Sequence, residues 1–168
     1  MTRDILKTLK NEHDDLRKLF AEMEKTTDRA KKSRADLLAS IEKGLIPHAK
    51  WEELVFYPAF MARADREGLK VHAEALQEHR AVELTVLPDL KTKQVDSADF
   101  AGSAKVLGEF VDHHAKEEET TMFRMVRKLF SKEELASMDE DYENWKDSPA
   151  AANEFKNASR QPSPVPVA

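Results

Sequence analysis

Apolar residues recur along the chain at alternating steps of three and four, which is the spacing of one face of an α-helix. In the first such stretch, Ile5, Leu9, Leu16 and Phe20 share a face, with His13 in its middle. Three more long stretches follow, and a shorter fifth opens with a capping box from Ser131. The predicted helices cover approximately residues 2–26, 34–64, 69–93, 97–130 and 131–145. No stretch shows the two-residue alternation of a strand.

Short turns between long helices favour antiparallel neighbours, so we predict an all-α protein built as an up-down-up-down four-helix bundle with a short fifth helix. Residues 1–146 are predicted to form this domain. Residues 147–168 contain four of the seven prolines, and we predict a mobile tail without a helix there. Pro47 lies inside the second predicted helix, where we expect a kink or a restart.

Composition narrows the functional classes. The chain has 168 residues, a formal net charge of −5 and no cysteine. Its acidic and basic residues are interspersed, so we expect no nucleic-acid partner. Disulfides, thiolate metal sites and iron–sulfur clusters are excluded. No segment approaches the roughly 20 apolar residues that cross a bilayer, and the N-terminus lacks a secretory signal, so we expect a cytoplasmic protein with no membrane partner.

One polar hexapeptide occurs twice, as HAKWEE from His48 and as HAKEEE from His114, 66 residues apart. The same offset relates His13 to His79, and each of these precedes its hexapeptide histidine by 35 residues. The chain therefore consists of two similar helical hairpins. Each has a single histidine on its first helix and a His-x-x-x-Glu pair on its second.

Both pairs lie on the apolar stripe of their helices, where an unpaired carboxylate would cost several kcal/mol or more. Four imidazoles and two carboxylates in one bundle core suit two divalent first-row metal ions, iron above all, with zinc, manganese or cobalt as alternatives. The alternative register His113/Glu117 is set aside because the repeat selects His114. We expect Glu53 and Glu119 in solvent or beside the histidine ligands, and Glu12 and Glu78 on the surface. The predicted metal ligands are His13, His48, Glu52, His79, His114 and Glu118.

The segments NEHDDL, PHAKWEELVFYP, QEHRAVE and HHAKEEETTMF resemble the hemerythrin family, specifically its bacterial and regulatory HHE cation-binding branch. The resemblance covers approximately residues 5–130. It implies that the four histidines are terminal ligands, and that Glu52 and Glu118 bridge two irons that also share an oxo or hydroxo bridge. Oxygen-carrying members supply a fifth histidine. The candidates for a fifth ligand here are His72, His113, Glu83 and Tyr57, or none.

The resemblance favours a non-haem di-iron protein that binds or reacts with O2, peroxide or NO, in oxygen or redox sensing or in a stress response. Iron storage or buffering is one alternative, and a metal-stabilised interaction bundle without redox chemistry is another. Enzymatic activity remains open. The sequence contains no phosphate-binding glycine loop and no nucleophilic triad, so it implies no organic substrate. It also lacks the Glu-x-x-His motif of ferritin-like proteins and the H-E-x-x-H motif of zinc proteases.

Overall fold

The structure is a computed structural model that describes residues 3–160. Four long helices form a bundle, two shorter helices follow, and there is no strand among the described residues, so the all-α prediction is confirmed. The short helices are α5 (Lys132–Lys146) and α6 (Pro149–Ser159). Helix α1 is Ile5–Glu24. Each of the other three long helices has three consecutive segments. Helix α2 consists of Lys31–Trp51, Glu52–Phe56 and Tyr57–Met61, and α3 consists of Arg66–Ala81, Val82–Val86 and Leu87–Thr92. Helix α4 consists of Ala98–Glu117, Glu118–Met122 and Phe123–Leu129.

Side-chain caps explain where several helices begin. The carboxylate of Asp4 accepts a hydrogen bond from the Lys7 N–H at 3.0 Å, and Ser97 accepts one from the Phe100 N–H at 3.0 Å. Each cap satisfies a backbone donor that has no partner within its helix. The capping box predicted at Ser131 is confirmed, since Ser131 and Glu134 bond each other's backbone N–H groups.

The middle segment of α2, α3 and α4 is a single π-helical turn. The N–H groups of Tyr57, Leu87 and Phe123 donate to carbonyls five residues earlier instead of four. In α2 and α3 a proline follows at once, Pro58 and Pro88, whose ring would clash with the carbonyl four residues back in a regular helix. The wider turn relieves that clash. The α4 turn has no such proline, and it begins at Glu118 as the α2 turn begins at Glu52.

Pro47 lies within the regular part of α2, Lys31–Trp51, which continues through it. The helix therefore does not restart at Pro47, and the alternative of a kink there stays a prediction. The helix changes its hydrogen bonding five residues later, at Glu52.

The apolar core consists of two clusters, one at each end of the bundle. The first includes Leu9, Phe60 and Val126, and the second includes Leu16, Ile41 and Leu107. Along α1, His13 lies between Leu9 and Leu16, and along α4, His114 and Glu118 lie between Val111 and Met122. The repeated polar residues therefore form a buried layer with apolar packing above and below.

Helix α6 corrects the prediction for the C-terminal segment. Ser148 caps it by accepting a hydrogen bond from the Ala151 N–H at 3.2 Å, and Pro149 occupies the first turn, where its missing N–H costs nothing. The prediction that no helix forms beyond Asp147 is wrong for Pro149–Ser159, which packs against α2 and α5. The remainder of the predicted tail, residues 161–168, lies outside the described residues. Within residues 3–160, no helix is long and apolar enough to span a membrane.

Candidate metal centre

All six predicted ligand residues are buried and lie together in the middle of the bundle. Their donor atoms form two groups, and within each group the atoms lie within 4.8 Å of one another. One group comprises His13, His48, Glu52 and Glu118, and the other comprises Glu52, His79 and His114. The structure therefore places these residues as a metal cluster would require. Their role as ligands remains a prediction.

The two carboxylates lie between the two histidine pairs. Glu52 Oε1 is 3.0 Å from His48 Nε2, and Glu52 Oε2 is 3.4 Å from His79 Nε2. Glu118 Oε2 is 3.4 Å from His13 Nε2 and 3.7 Å from His114 Nε2. Each carboxylate thus reaches one histidine of each pair, which is the placement that a bridging ligand needs.

The histidines of each pair face each other through Nε2. The His13 and His48 Nε2 atoms are 3.1 Å apart, and those of His79 and His114 are 3.0 Å apart. The Nδ1 atom of every one of these rings lies 2.8–3.0 Å from a glutamate oxygen. An ionised carboxylate only accepts, so Nδ1 carries the hydrogen and a neutral ring presents a lone pair at Nε2. Two such lone pairs at about 3 Å require a cation or a proton near them.

Three buried carboxylate oxygens also lack a hydrogen-bond partner: Glu52 Oε1, Glu52 Oε2 and Glu118 Oε2. Their neighbours include the Nε2 atoms, which cannot donate while the rings are neutral. An ionised carboxylate left in this state inside a protein costs several kcal/mol. A cation within the cluster would satisfy the oxygens and the nitrogens together. The residues therefore fit a metal ion on their own chemistry.

The pKa shifts describe how the same cluster compensates its charge without metal. Burial alone would lower the pKa of His48, but Glu52 and Glu12 raise it well above its usual range. Burial would likewise lower the pKa of His79, but Glu52 and Glu53 raise it to about 9. Burial would raise the pKa of Glu52, yet His48 and His79 hold it well below its usual value. One histidine of each pair therefore gains a proton in the metal-free protein, and a metal ion would replace these protons.

The glutamates that hold Nδ1 come from the neighbouring helices. Glu119 accepts from His13, Glu12 from His48, Glu53 from His79 and Glu78 from His114. Such partners fix the ring orientation and make Nε2 a stronger ligand. The expectation for Glu53 and Glu119 includes this position, whereas the prediction that Glu12 and Glu78 are surface residues is wrong. The offset of 66 that relates Glu12 to Glu78, and Glu53 to Glu119, was the available signal.

Hydrogen bonds from other side chains hold three of these glutamates in position. Glu12 accepts hydrogen bonds from the Tyr142 hydroxyl at 2.7 Å and from Lys146 Nζ at 2.9 Å, both on α5. Arg17 donates to Glu119 at 2.9 Å, and Lys50 donates to Glu53 at 3.0 Å. Helix α5 therefore contributes to the centre through Glu12, although it supplies no predicted ligand.

Of the four candidates for a fifth ligand, Tyr57 is the one that reaches the cluster. Its hydroxyl donates to Glu118 Oε1 at 2.9 Å and lies 3.2 Å from His79 Nε2. His72 lies behind it, its ring centroid 5.6 Å from that of Tyr57. Glu83 pairs with Lys50 at 2.5 Å, and the His113 side chain is 65% exposed. In α4, His114 is buried in the core and His113 is not, as the chosen register predicts, while the ligand assignment stays a prediction.

This four-helix bundle, with its buried cluster of four histidines and two glutamates, has the architecture of a helical metal-binding protein. The family model described as the hemerythrin HHE cation-binding domain matches residues 4–126, and the chain belongs to this family. Among curated proteins, a DNA nickase from Nostoc sp. (strain PCC 7120) is 25% identical over 158 residues. The match covers 92% of this chain and 39% of that protein, so the chain spans about two fifths of its relative's length. No solved structure gives a significant match.

Proposed function

We propose that this protein is a non-haem di-iron protein that binds or reacts with O2, peroxide or NO. The supporting observation is the cluster itself, in which four Nε2 atoms and three unpartnered carboxylate oxygens converge. His13 and His48 would hold one metal ion, and His79 and His114 the other. Glu52 and Glu118 would contact both, since each lies between the pairs.

The donor set supports iron over softer or harder metals. Imidazole nitrogen together with carboxylate oxygen suits the divalent first-row ions, and thiolates are absent from the sequence. Two carboxylates offset half of the charge of two divalent ions. Bound iron would supply one-electron redox chemistry and affinity for O2, peroxide and NO. Zinc, manganese and cobalt remain alternatives for the same ligands.

The protein's own residues would control access and protonation at this centre. Apolar clusters pack above and below the layer that holds it. Burial and then the carboxylates of Glu118 and Glu52 raise the pKa of Tyr57, so in the metal-free protein its hydroxyl keeps its proton and donates to Glu118 Oε1. With four histidines in place of five, one coordination position is freer. This favours sensing or redox chemistry over reversible oxygen carriage.

The nickase activity named for the Nostoc relative belongs to a protein of which this chain spans about two fifths. The interspersed charges of this chain and its net charge of −5 offer little attraction to DNA phosphates. We therefore expect no DNA binding, and incubation with supercoiled plasmid should leave the plasmid intact.

Elemental mass spectrometry on protein expressed with iron and purified without chelator tests the proposal. We expect about two irons per chain, near-complete loss in Glu52→Ala and in Glu118→Ala, and no loss in the control Glu109→Ala, an exposed position on α4. Visible absorbance should then respond to O2, peroxide or NO. Little metal, a single zinc, or unchanged iron in a folded Glu52→Ala protein would contradict the di-iron assignment. Two irons with no spectral response would favour the metal-stabilised interaction bundle.

A further inference from the structure

A cavity of about 280 Å3 lies between α2 and α3 and extends inward to all four histidines. Its walls are mainly apolar, formed by Leu16, Leu45, Ile46, Val82, Leu87 and Val111. A dry apolar cavity of about 150 Å3 is enough to bind benzene. The space is therefore larger than a diatomic molecule or peroxide needs.

The cavity breaks the symmetry of the two hairpins. The related gap, between α1 and α4, is a more open depression that reaches one histidine, His13. There Phe20 packs so closely on Gly108 that a Cβ at position 108 would lie 3.0 Å from the ring. The positions related to these two by the 66-residue offset are Val86 and Glu42, so α3 has a smaller side chain where α1 has the ring. Helix α3 also carries a π turn, Val82–Val86, where α1 is regular.

Helix α6 closes the outer end of the cavity. Its residues Ala158 and Ser159 line the space, and Phe155 and Ala158 pack against the neighbouring apolar cluster. At this end Lys91 pairs with Glu42 at 2.5 Å. The outer end of the cavity is therefore covered by a separate short helix. Displacement of α6 would let a ligand enter without opening of the four-helix bundle.

The charged groups around the cavity are already paired. Lys50 contacts Glu83 at 2.5 Å and Glu53 at 3.0 Å, and Glu78 accepts from His114. A charged ligand would have to break one of these pairs. The walls and the paired charges favour a neutral ligand, and the Glu78 carboxylate beside His114 can accept a hydrogen bond from one polar atom on it.

We infer that this cavity binds a neutral organic alcohol about the size of a substituted benzene ring. The apolar body would lie between Leu45 and Val82, and the hydroxyl would donate to the carboxylate of Glu78. This carboxylate lines the cavity, accepts from His114 at Oε2 and has further lone pairs, with or without metal. This binding goes beyond the proposed oxygen chemistry and does not depend on it.

Titration with benzyl alcohol, followed by calorimetry and ligand-observed NMR, tests the inference on the full chain, both iron-loaded and chelator-treated. We expect saturable binding in both forms and at least about tenfold weaker binding of toluene, which lacks the hydroxyl. Val82→Phe should weaken binding by at least about tenfold because it fills the cavity. Leu84→Phe is the matched control, because Leu84 lies on the same π turn and is 51% exposed.

Ala158→Leu fills the cavity from α6 and leaves the bundle untouched, so it decides the matter if Val82→Phe fails to fold by circular dichroism. Absence of saturable binding to the wild-type protein would overturn the inference. So would wild-type affinity in a folded Ala158→Leu protein. Equal affinity for toluene would overturn the assignment of the hydroxyl. Iron content is measured separately, so failure of the di-iron proposal leaves this result readable.

Discussion

The carboxylate of Glu12 accepts a hydrogen bond from Nδ1 of His48 at 2.8 Å, across the interface between α1 and α2. The same relationship continues around the bundle. Helix α2 supplies Glu53 to His79 on α3, α3 supplies Glu78 to His114 on α4, and α4 supplies Glu119 to His13 on α1. Each helix thus orients the histidine of the next, and the four contacts form a closed ring around the centre.

Loss of one such contact should weaken metal binding without removing a ligand. For Glu78→Ala we expect about 10–100-fold weaker affinity, because His114 loses the acceptor that orients its ring and raises its basicity. Chelator competition measures the change. Glu74→Ala, exposed on the same helix, is the control and should bind metal as the wild type does. Equal affinities for the two variants would show that the ring of carboxylates does not tune the centre.

Removal of the Tyr57 hydroxyl should open the second metal position to small anions. The hydroxyl lies 3.2 Å from His79 Nε2 and 3.5 Å from His114 Nε2, so it occupies space beside both nitrogens. Azide should bind iron-loaded Tyr57→Phe about tenfold more tightly, which corresponds to about 1.4 kcal/mol. Absorbance titration measures this. Tyr142→Phe, whose hydroxyl reaches Glu12 instead, is the control. Unchanged azide affinity in Tyr57→Phe would mean that the phenol does not limit access.

Weaker packing of α6 should speed ligand exchange in the cavity between α2 and α3. Phe155 is partly buried against the apolar cluster beneath α6. In Phe155→Ala, a loss of about 1.4 kcal/mol in the free energy that holds α6 closed would raise benzyl alcohol exchange about tenfold. NMR line-shape analysis measures the rate. Phe110→Ala removes a ring that is 41% exposed on α4 and should leave the rate unchanged. Equal rates for all three proteins would rule out α6 as the route.

Stability of the metal-free protein should fall as the pH rises above neutrality. The pKa of His79 is about 9 in the folded protein against 6.5 for the ordinary side chain. A raised pKa contributes stability that is fully present below pH 6.5 and is lost as the pH approaches 9. The loss should be a few kcal/mol at most. Melting temperatures of chelated protein across this range measure it, with iron-loaded protein as the control. A flat or rising profile for the chelated protein would contradict the prediction.

The repeat carried most of the information on the site. An offset of 66 residues selected His114 and Glu118 over the neighbouring pair His113 and Glu117, because only the former correspond to His48 and Glu52. The positions of Glu12 and Glu78 were harder to predict. A residue next to a buried histidine points about 100° away around its own helix, which suggests solvent. Whether it then meets an imidazole of the adjacent helix depends on how the two helices pack, and the sequence of one helix does not specify that.

The π turns and helix α6 were harder to predict from the sequence. The predicted helices 34–64 and 69–93 contain Pro58 and Pro88, but the sequence did not indicate that a π turn precedes each proline. The third π turn, at Glu118–Met122, has no proline, so local sequence does not indicate it. Helix α6 was missed because the prolines of the last eight residues favoured an irregular tail. The sequence nevertheless contains a good helix start, in which Ser148 caps the helix and Pro149 occupies its first turn.

The two hairpins differ in one place that faces the cluster. Tyr57 of the second helix corresponds, by the 66-residue offset, to Phe123 of the fourth, whose ring stacks on His13 with centroids 6.2 Å apart. One half of the centre thus has a phenol beside its histidines, while the other has a hydrocarbon ring. Two ions held in such halves would be chemically inequivalent. If the ions are iron, as we propose, the two positions would therefore differ in reduction potential, because the polarity and hydrogen bonding around each histidine pair differ.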